Sequence, residues 1–100
     1  MTAQQQRLDV AKTILAQLGG ARFITMTGAK DLLAIDSGLQ IRVTARKVNR
    51  VTITLRNDLY DMQFLGVRGF NVTDVAQVKG VYADQLQALF TEHTGLDTKL

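Results

Sequence analysis

The sequence predicts an α+β domain in which an N-terminal helix, an antiparallel meander sheet of about five or six strands and a C-terminal helix form two layers. Apolar residues recur at helical spacing near both ends of the chain, and the middle alternates between apolar and polar residues. Short turn signals separate the alternating segments, which favours antiparallel hairpins between sequence neighbours. We expect both helices to cover the same face of the sheet.

The composition of the 100-residue chain fits one domain spanning residues 1–100. Hydrophobic residues make up 46% and charged residues 21%, a balance that predicts a folded core. The absence of cysteine excludes disulfides, thiolate metal sites and cysteine nucleophiles. No secretory signal is visible, and no apolar run approaches the ~20 residues of a membrane span, so we expect a cytoplasmic protein without a membrane partner.

The first helix is predicted to open at Thr2, which with Gln5 has the spacing of a capping box, and to continue through Leu18. Gly19 and Gly20 then end the helix. Its apolar stripe faces the sheet and consists of Leu8, Ala11, Leu15 and Leu18, flanked by Val10 and Ile14.

Two short strands are predicted after this helix. The first covers residues 21–27, where Phe23, Ile24 and Met26 supply bulky side chains. A turn at residues 27–30 leads into the second strand, at residues 31–36, which ends at an Asp-Ser-Gly turn.

The most regular alternation lies at residues 39–56, LQIRVTARKVNRVTITLR, and predicts a β-hairpin. Both strands must present their apolar residues to the same face, so odd-numbered residues must pair with odd-numbered ones. A three-residue loop of Lys47, Val48 and Asn49 satisfies this parity, with Asn49 in a left-handed conformation. Arg46 would then lie opposite Arg50.

The polar face of this hairpin is the candidate functional site. Five basic residues and no acid lie between Asp36 and Asp58, although the net charge of the chain, +3, is modest. Arginine and threonine suit contact with phosphate groups, and the lack of aromatic residues argues against base stacking. The candidate nucleic-acid-binding residues are Arg42, Arg46, Lys47, Arg50, Arg56, Thr52 and Thr54. The other interpretation is a solvated face that binds no ligand.

The remainder of the chain predicts two further strands and the second helix. Residues 59–68 point Tyr60, Met62 and Phe64 inward, and a bulge is expected near Leu65-Gly66. A turn at residues 69–71 precedes a weaker strand at residues 72–78. The second helix covers residues 82–94, with Gly95 as its cap and Leu96 as the hydrophobic contact after it. Its buried side is predicted to consist of Tyr82, Leu86, Leu89, Phe90 and His93.

No residue pattern indicates catalysis, a cofactor or a metal site. The single histidine, His93, lies near a helix end, and the single serine, Ser37, lies in a turn. Asp58 and Asp61 are close in sequence, but their position at the start of a strand is typical of turn and solvent roles. We therefore expect a protein that is not an enzyme and needs no cofactor or metal.

Three segments of the chain are similar to segments of known proteins. They are ILAQLGGARFITMTGAK at 14–30, LYDMQFLGVRGF at 59–70 and VKGVYADQLQALFTEHTGLDTKL at 78–100. They resemble small uncharacterised proteins of bacteriophages and other bacterial mobile elements. The resemblance covers most of the chain and implies an accessory role in the cytoplasm of a host bacterium. It transfers no catalytic or binding residues.

Two hypotheses for function follow. The first is a non-enzymatic phage or mobile-element accessory protein that contacts the DNA or RNA backbone through the basic hairpin face. The alternative is a protein-interaction module, either a homo-oligomeric subunit or an inhibitor of a host protein, because an open antiparallel sheet with an exposed edge is a common partner surface. Salt separates the two hypotheses, since binding through phosphate contacts weakens steeply as ionic strength rises.

Overall fold

The computed structural model describes the backbone of residues 3–45 and 47–98 and the side chains from Leu8 onward. Its five strands form one sheet in the order β1-β2-β3-β4-β5, with every neighbouring pair antiparallel. This is the predicted α+β meander with a helix at each end. The elements are α1 (Ala3–Leu18), α2 (Ala21–Thr27), β1 (Lys30–Ile35), β2 (Gly38–Arg42), β3 (Arg50–Arg56), β4 (Leu59–Arg68), β5 (Asn71–Val81), a 3₁₀ turn (Ala83–Gln85) and α3 (Leu86–Thr94).

Helix α1 ends at Leu18 as predicted, and it is followed by Gly19 and Gly20, whose φ angles of +125° and +62° favour glycine. Within the predicted stripe, Ala11 and Leu18 are buried, whereas Leu8 is 45% exposed. Leu8 instead lies over a groove between α1 and the edge strand β1. The predicted cap, Thr2, is outside the described residues.

Residues 21–27 form the helix α2, so the predicted strand is wrong. Phe23 and Thr27 are four residues apart and are the buried residues of this helix. The Phe23 ring meets Phe90 of α3 edge to face, with 5.0 Å between centroids. Gly28, with φ of +69°, caps the helix. Seven residues with several bulky side chains are too short for periodicity to separate a strand from a helix, and the tertiary contact with Phe90 favours the helix.

The β2–β3 hairpin keeps the predicted parity but not the predicted loop. Leu39 pairs with Ile53, and Ile41 pairs with Val51. β2 already ends at Arg42, so the connection covers residues 43–49 and Arg50 lies opposite Arg42. Arg46, which was expected opposite Arg50, is outside the described residues.

Strand β4 has its predicted bounds, and β5 is longer than predicted, from Asn71 to Val81. The irregularity expected near Leu65-Gly66 is present between Phe64 and Leu65, but the extra residue is Val75 on β5. Gly69, with φ of +60°, begins the two-residue turn that joins the strands.

The second helix begins later than predicted, because Tyr82 and the 3₁₀ turn precede α3. Tyr82 was expected on the buried side but is 61% exposed, since its extended backbone places it before the first helical turn. Gly95 caps α3 with φ of +76°, and the partly buried Leu96 packs on the core, both as predicted.

One hydrophobic core lies between the helices and one face of the sheet. The sheet contributes alternate residues of its central strands, and α1, α2 and α3 contribute one side each. Its large, fully buried side chains include Ile14, Leu18, Phe23, Ile41, Ile53, Met62, Phe64, Leu86 and Phe90. None of the helices described here is both long and apolar enough to cross a membrane.

Candidate functional site

The sheet face opposite the core, which we call the open face, carries five of the predicted site residues. Arg42 lies on β2, and the others follow one another at alternate positions of β3. Gln40 and Gln63 flank Thr52 in the strand register, and Asp61 lies opposite Thr54. The predicted residues on the open face are Arg42, Arg50, Thr52, Thr54 and Arg56.

Arg42 and Arg50 are directly opposite each other in the β2–β3 register. Such pairs have Cβ atoms about 4.5–5.5 Å apart, so the two arginine side chains leave the sheet as neighbours, and the Arg42 guanidinium contacts Asp31 of β1. Arg50 is half-buried, with Leu65 of β4 opposite it on its other side. Among the described residues, no carboxylate forms an ion pair with Arg50.

The neighbouring strands bring acids to the open face, although β2 and β3 themselves carry none, as the sequence predicted. Arg42 donates from Nη1 to Asp31 Oδ2 at 3.0 Å, and the Nε of Arg56 lies 3.8 Å from Asp61 Oδ2. These aspartates come from β1 and β4, the strands on either side of the basic hairpin. Exposed ion pairs contribute only about 0–1 kcal/mol, so a stronger anion can displace either carboxylate.

Lys47 does not join the arginines of the open face. It is exposed in the β2–β3 connection and lines a cleft of about 640 Å³ against the end of the β4–β5 hairpin. Alternate residues of a strand point to the same face, and Gly66 and Arg68 continue the series of the buried Met62 and Phe64. The cleft therefore opens on the helix side of the sheet. We call it the hairpin cleft; its lining residues are Lys47, Gly66, Arg68, Asn71, Val72, Thr73 and Val75.

Asn49 joins the two walls of the hairpin cleft. Its backbone N–H donates to the Leu65 carbonyl at 3.0 Å. Its side chain donates from Nδ2 to the Val67 carbonyl at 2.7 Å and accepts from the Val67 N–H at Oδ1 at 2.8 Å. Because β3 begins at Arg50, opposite Leu65, the Asn49 amide supplies the partner that Val67 lacks on that side. The prediction of a left-handed Asn49 is wrong, because its φ is not positive.

Gly66 allows the connection to approach β4 closely. A Cβ atom at this position would lie 2.7 Å from the Lys47 carbonyl oxygen, which is closer than real Cβ contacts. The missing side chain therefore admits the backbone of Lys47 above the strand. Sequence reasoning missed this cleft and Arg68. The available signal was Arg68 itself, which continues the inward-facing series of β4 beyond the last buried residue, Phe64.

The titratable groups of the core lie apart from both surfaces. Burial raises the pKa of Tyr60, and a hydrogen bond with the Gln17 side chain partly offsets this effect. His93 is half-buried, with its ring 4.8 Å from that of Phe64. Within residues 3–45 and 47–98, no group of three or more histidine or acidic side chains is placed to hold a metal ion.

Comparison of the chain with protein-family models, with curated proteins and with solved structures finds no match. The open face and the hairpin cleft are therefore the features on which a functional proposal rests.

Proposed function

We propose that the protein is a non-enzymatic accessory protein of a bacteriophage or other mobile element that contacts the phosphate backbone of DNA or RNA through its open face. The observation that carries the proposal is the cross-strand pair of Arg42 and Arg50. The mobile-element role rests on the resemblance of the three segments quoted above. The cytoplasm of a host bacterium is the compartment that this role implies.

The arginine pair favours an anion for a physical reason. Like charges directly opposite each other on a sheet repel, and an anion between them removes that repulsion. A guanidinium group presents two parallel N–H donors that match the oxygens of a phosphate group. Thr52, next to Arg50 along the same face, adds a hydroxyl donor. Because these groups reach phosphate oxygens and not base edges, the contact is independent of nucleotide sequence.

The test is oligonucleotide binding as a function of salt, with matched variants. Fluorescence anisotropy of labelled single- and double-stranded oligonucleotides would be followed from about 50 to about 200 mM salt. The variant R42A/R50A is compared with K12A/R22A, which removes two exposed charges from α1 and α2. We expect R42A/R50A to weaken binding and to reduce the slope of log K against log salt by about 1.8 on duplex DNA, or about 0.9 per lost contact. K12A/R22A should keep the slope of the parent protein.

Two results would overturn the proposal. One is no binding to either oligonucleotide at about 50 mM salt, where phosphate contacts are strong. The other is an equal loss of binding in R42A/R50A and K12A/R22A, which would mean that net charge, and not the open face, determines affinity. Circular dichroism of each variant checks that the sheet and helices are retained.

The second candidate function is a protein-interaction module, and exposed apolar side chains favour it. Phe70 is fully exposed in the β4–β5 turn, and Val72 and Val75 of the edge strand β5 are exposed as well. A partner held by these residues would bind with little dependence on salt. Analytical ultracentrifugation of the parent protein and of F70A/V72T measures the dissociation constant for self-association. A dissociation constant that F70A/V72T raises and salt leaves unchanged would favour this function.

A further inference from the structure

We infer that the hairpin cleft binds a phosphate monoester of the nucleotide class, at a site separate from the open face. Its volume of about 640 Å³ lies within the range of small-molecule sites, about 300–1,000 Å³. The lining residues include two cations, Lys47 and Arg68, and no acid. This inference goes beyond the proposed backbone contact, because the arginines of the open face lie on the opposite side of the sheet.

The polar lining residues match the oxygens of a phosphate group. Lys47 and Arg68 are both exposed, and neither forms an ion pair with a described residue. Asn71 lies opposite Arg68, and Thr73 lies opposite Gly66, so an amide and a hydroxyl group border the same space. The nearest acid along β5 is Asp74. It lies opposite Leu65, so its side chain is on the other face of the sheet and does not line the cleft. The site therefore offers donors and positive charge to a dianionic group.

The walls of the cleft are held in place before a ligand arrives. Asn49 ties the connection that carries Lys47 to the backbone of Leu65 and Val67. The Lys47 carbonyl lies over Gly66, where a side chain would collide with it. The backbone on both sides of the site is thus already ordered, which lowers the entropic cost of binding.

The apolar groups at this end of the hairpin suit a planar ring attached to the phosphate. Val75 lines the cleft, with its Cγ2 atom 3.9 Å from the position that a Cβ atom on Gly66 would take, and the fully exposed Phe70 lies in the turn after Arg68. Nucleotide bases stack on exposed aromatic rings, and this stacking tolerates any base. The phosphate monoester can come from a free nucleotide or from the 5′ end of a nucleic-acid strand, and the chemistry at the cleft is the same.

The experiment is a two-dimensional amide NMR titration of the whole chain with adenosine monophosphate, adenosine and inorganic phosphate. We expect adenosine monophosphate to shift the amide signals of Lys47 and of residues 66–73 and to bind more tightly than adenosine. The variant K47A/R68A should weaken binding by about ten- to a hundredfold, because it removes two charged hydrogen-bonding groups. K12A/R22A has the same charge change and should bind like the parent protein. The spectra themselves show whether each variant is folded.

A second arm separates the two sources of phosphate. Short single strands with a 5′ phosphate and with a 5′ hydroxyl group are compared by the same titration. If the phosphorylated strand shifts the cleft amides at lower concentration than both the 5′-hydroxyl strand and adenosine monophosphate do, the source is a strand end. If the two strands shift the cleft amides equally or less than adenosine monophosphate does, the source is a free nucleotide. The inference is overturned if adenosine binds as well as adenosine monophosphate, if K47A/R68A binds like the parent, or if no amide of the cleft shifts. R42A/R50A tests independence, since it should retain this binding even if the open-face proposal fails.

Discussion

Asn49 binds the backbone of Val67 through both ends of its side-chain amide, with hydrogen bonds of 2.7 and 2.8 Å. The amide acts as one extra strand residue beside β4, at the point where β3 does not reach. Together with the bond from the Asn49 N–H to the Leu65 carbonyl, this contact joins the β2–β3 connection to the far end of the β4–β5 hairpin. This contact links residues distant in sequence and shapes the hairpin cleft.

Replacing Asn49 with alanine should lower the free energy of unfolding by about 1–3 kcal/mol, because the Val67 N–H and C=O each lose a partner in a half-buried position. Urea unfolding measures the change. Asn71→Ala is the matched control, since Asn71 is exposed on β5, and its effect should stay within about 0.5 kcal/mol. Equal losses in the two variants would show that the Asn49 amide is dispensable.

Replacing Asp31 and Asp61 with asparagine should tighten oligonucleotide binding several-fold, because Arg42 and Arg56 lose their competing carboxylates. Asparagine also tolerates the positive φ of Asp31, +49°. The measurement is the same anisotropy titration. D9N/D97N removes two exposed charges elsewhere in the chain and should have a smaller effect. If D9N/D97N tightens binding as much as D31N/D61N, the open face has no special role.

Replacing Gly38 with alanine should destabilise the sheet more than replacing Gly69. A Cβ atom at Gly38 would collide with the backbone carbonyl oxygen of Ile53, so β2 and β3 would have to separate. Gly69 has a positive φ but open space around it, and alanine there should cost about 1–2 kcal/mol through backbone strain. Urea unfolding of both variants gives the comparison, because both changes restrict the unfolded chain equally. A smaller loss for Gly38→Ala would contradict the close approach of the strands.

Stability should fall as pH rises above 10, and Tyr60 should account for part of the fall. Burial raises the pKa of Tyr60 from its ordinary value of 10.0. Between the pKa values of the unfolded and folded chains, the unfolded chain releases the phenol proton and the folded chain retains it, so stability decreases with pH. The free energy of unfolding of the parent protein and of Tyr60→Phe would be measured between about pH 8 and 11. The difference between the two pH profiles gives the Tyr60 contribution, because the lysines titrate in both proteins. Parallel pH profiles would show that the Tyr60 pKa is not raised.

Local pattern predicted those parts of the fold that depend on neighbouring residues. Alternation along β4 predicted its bounds and its buried residues, Tyr60, Met62 and Phe64. The two glycines after Leu18 predicted the end of α1. Helix α2 was mistaken for a strand because seven residues are too few for periodicity to decide, and its buried Phe23 packs against the distant Phe90.

The candidate site was predicted in part, for a similar reason. Parity along β2 and β3 correctly placed Arg42 and Arg50 on the open face. The predicted pairing of β2 with β3 was wrong because the apolar pattern allows one strand to shift along the other by any even number of residues. The contacts of the connection with β4 accompany the observed pairing: the Asn49 amide bonds to Val67, and the Lys47 carbonyl lies over Gly66.

The sequence by itself determined the order of most elements, the faces of the central strands and the shared parity of the arginines. These follow from periodicities of two and about 3.6 residues, which are properties of a few neighbouring residues. Only the tertiary structure decided that Asp31 and Asp61 reach the open face and that Lys47 meets Arg68 across a cleft. Charges interact through space, so a strand's electrostatic surroundings depend on which other strands lie beside it and in what register.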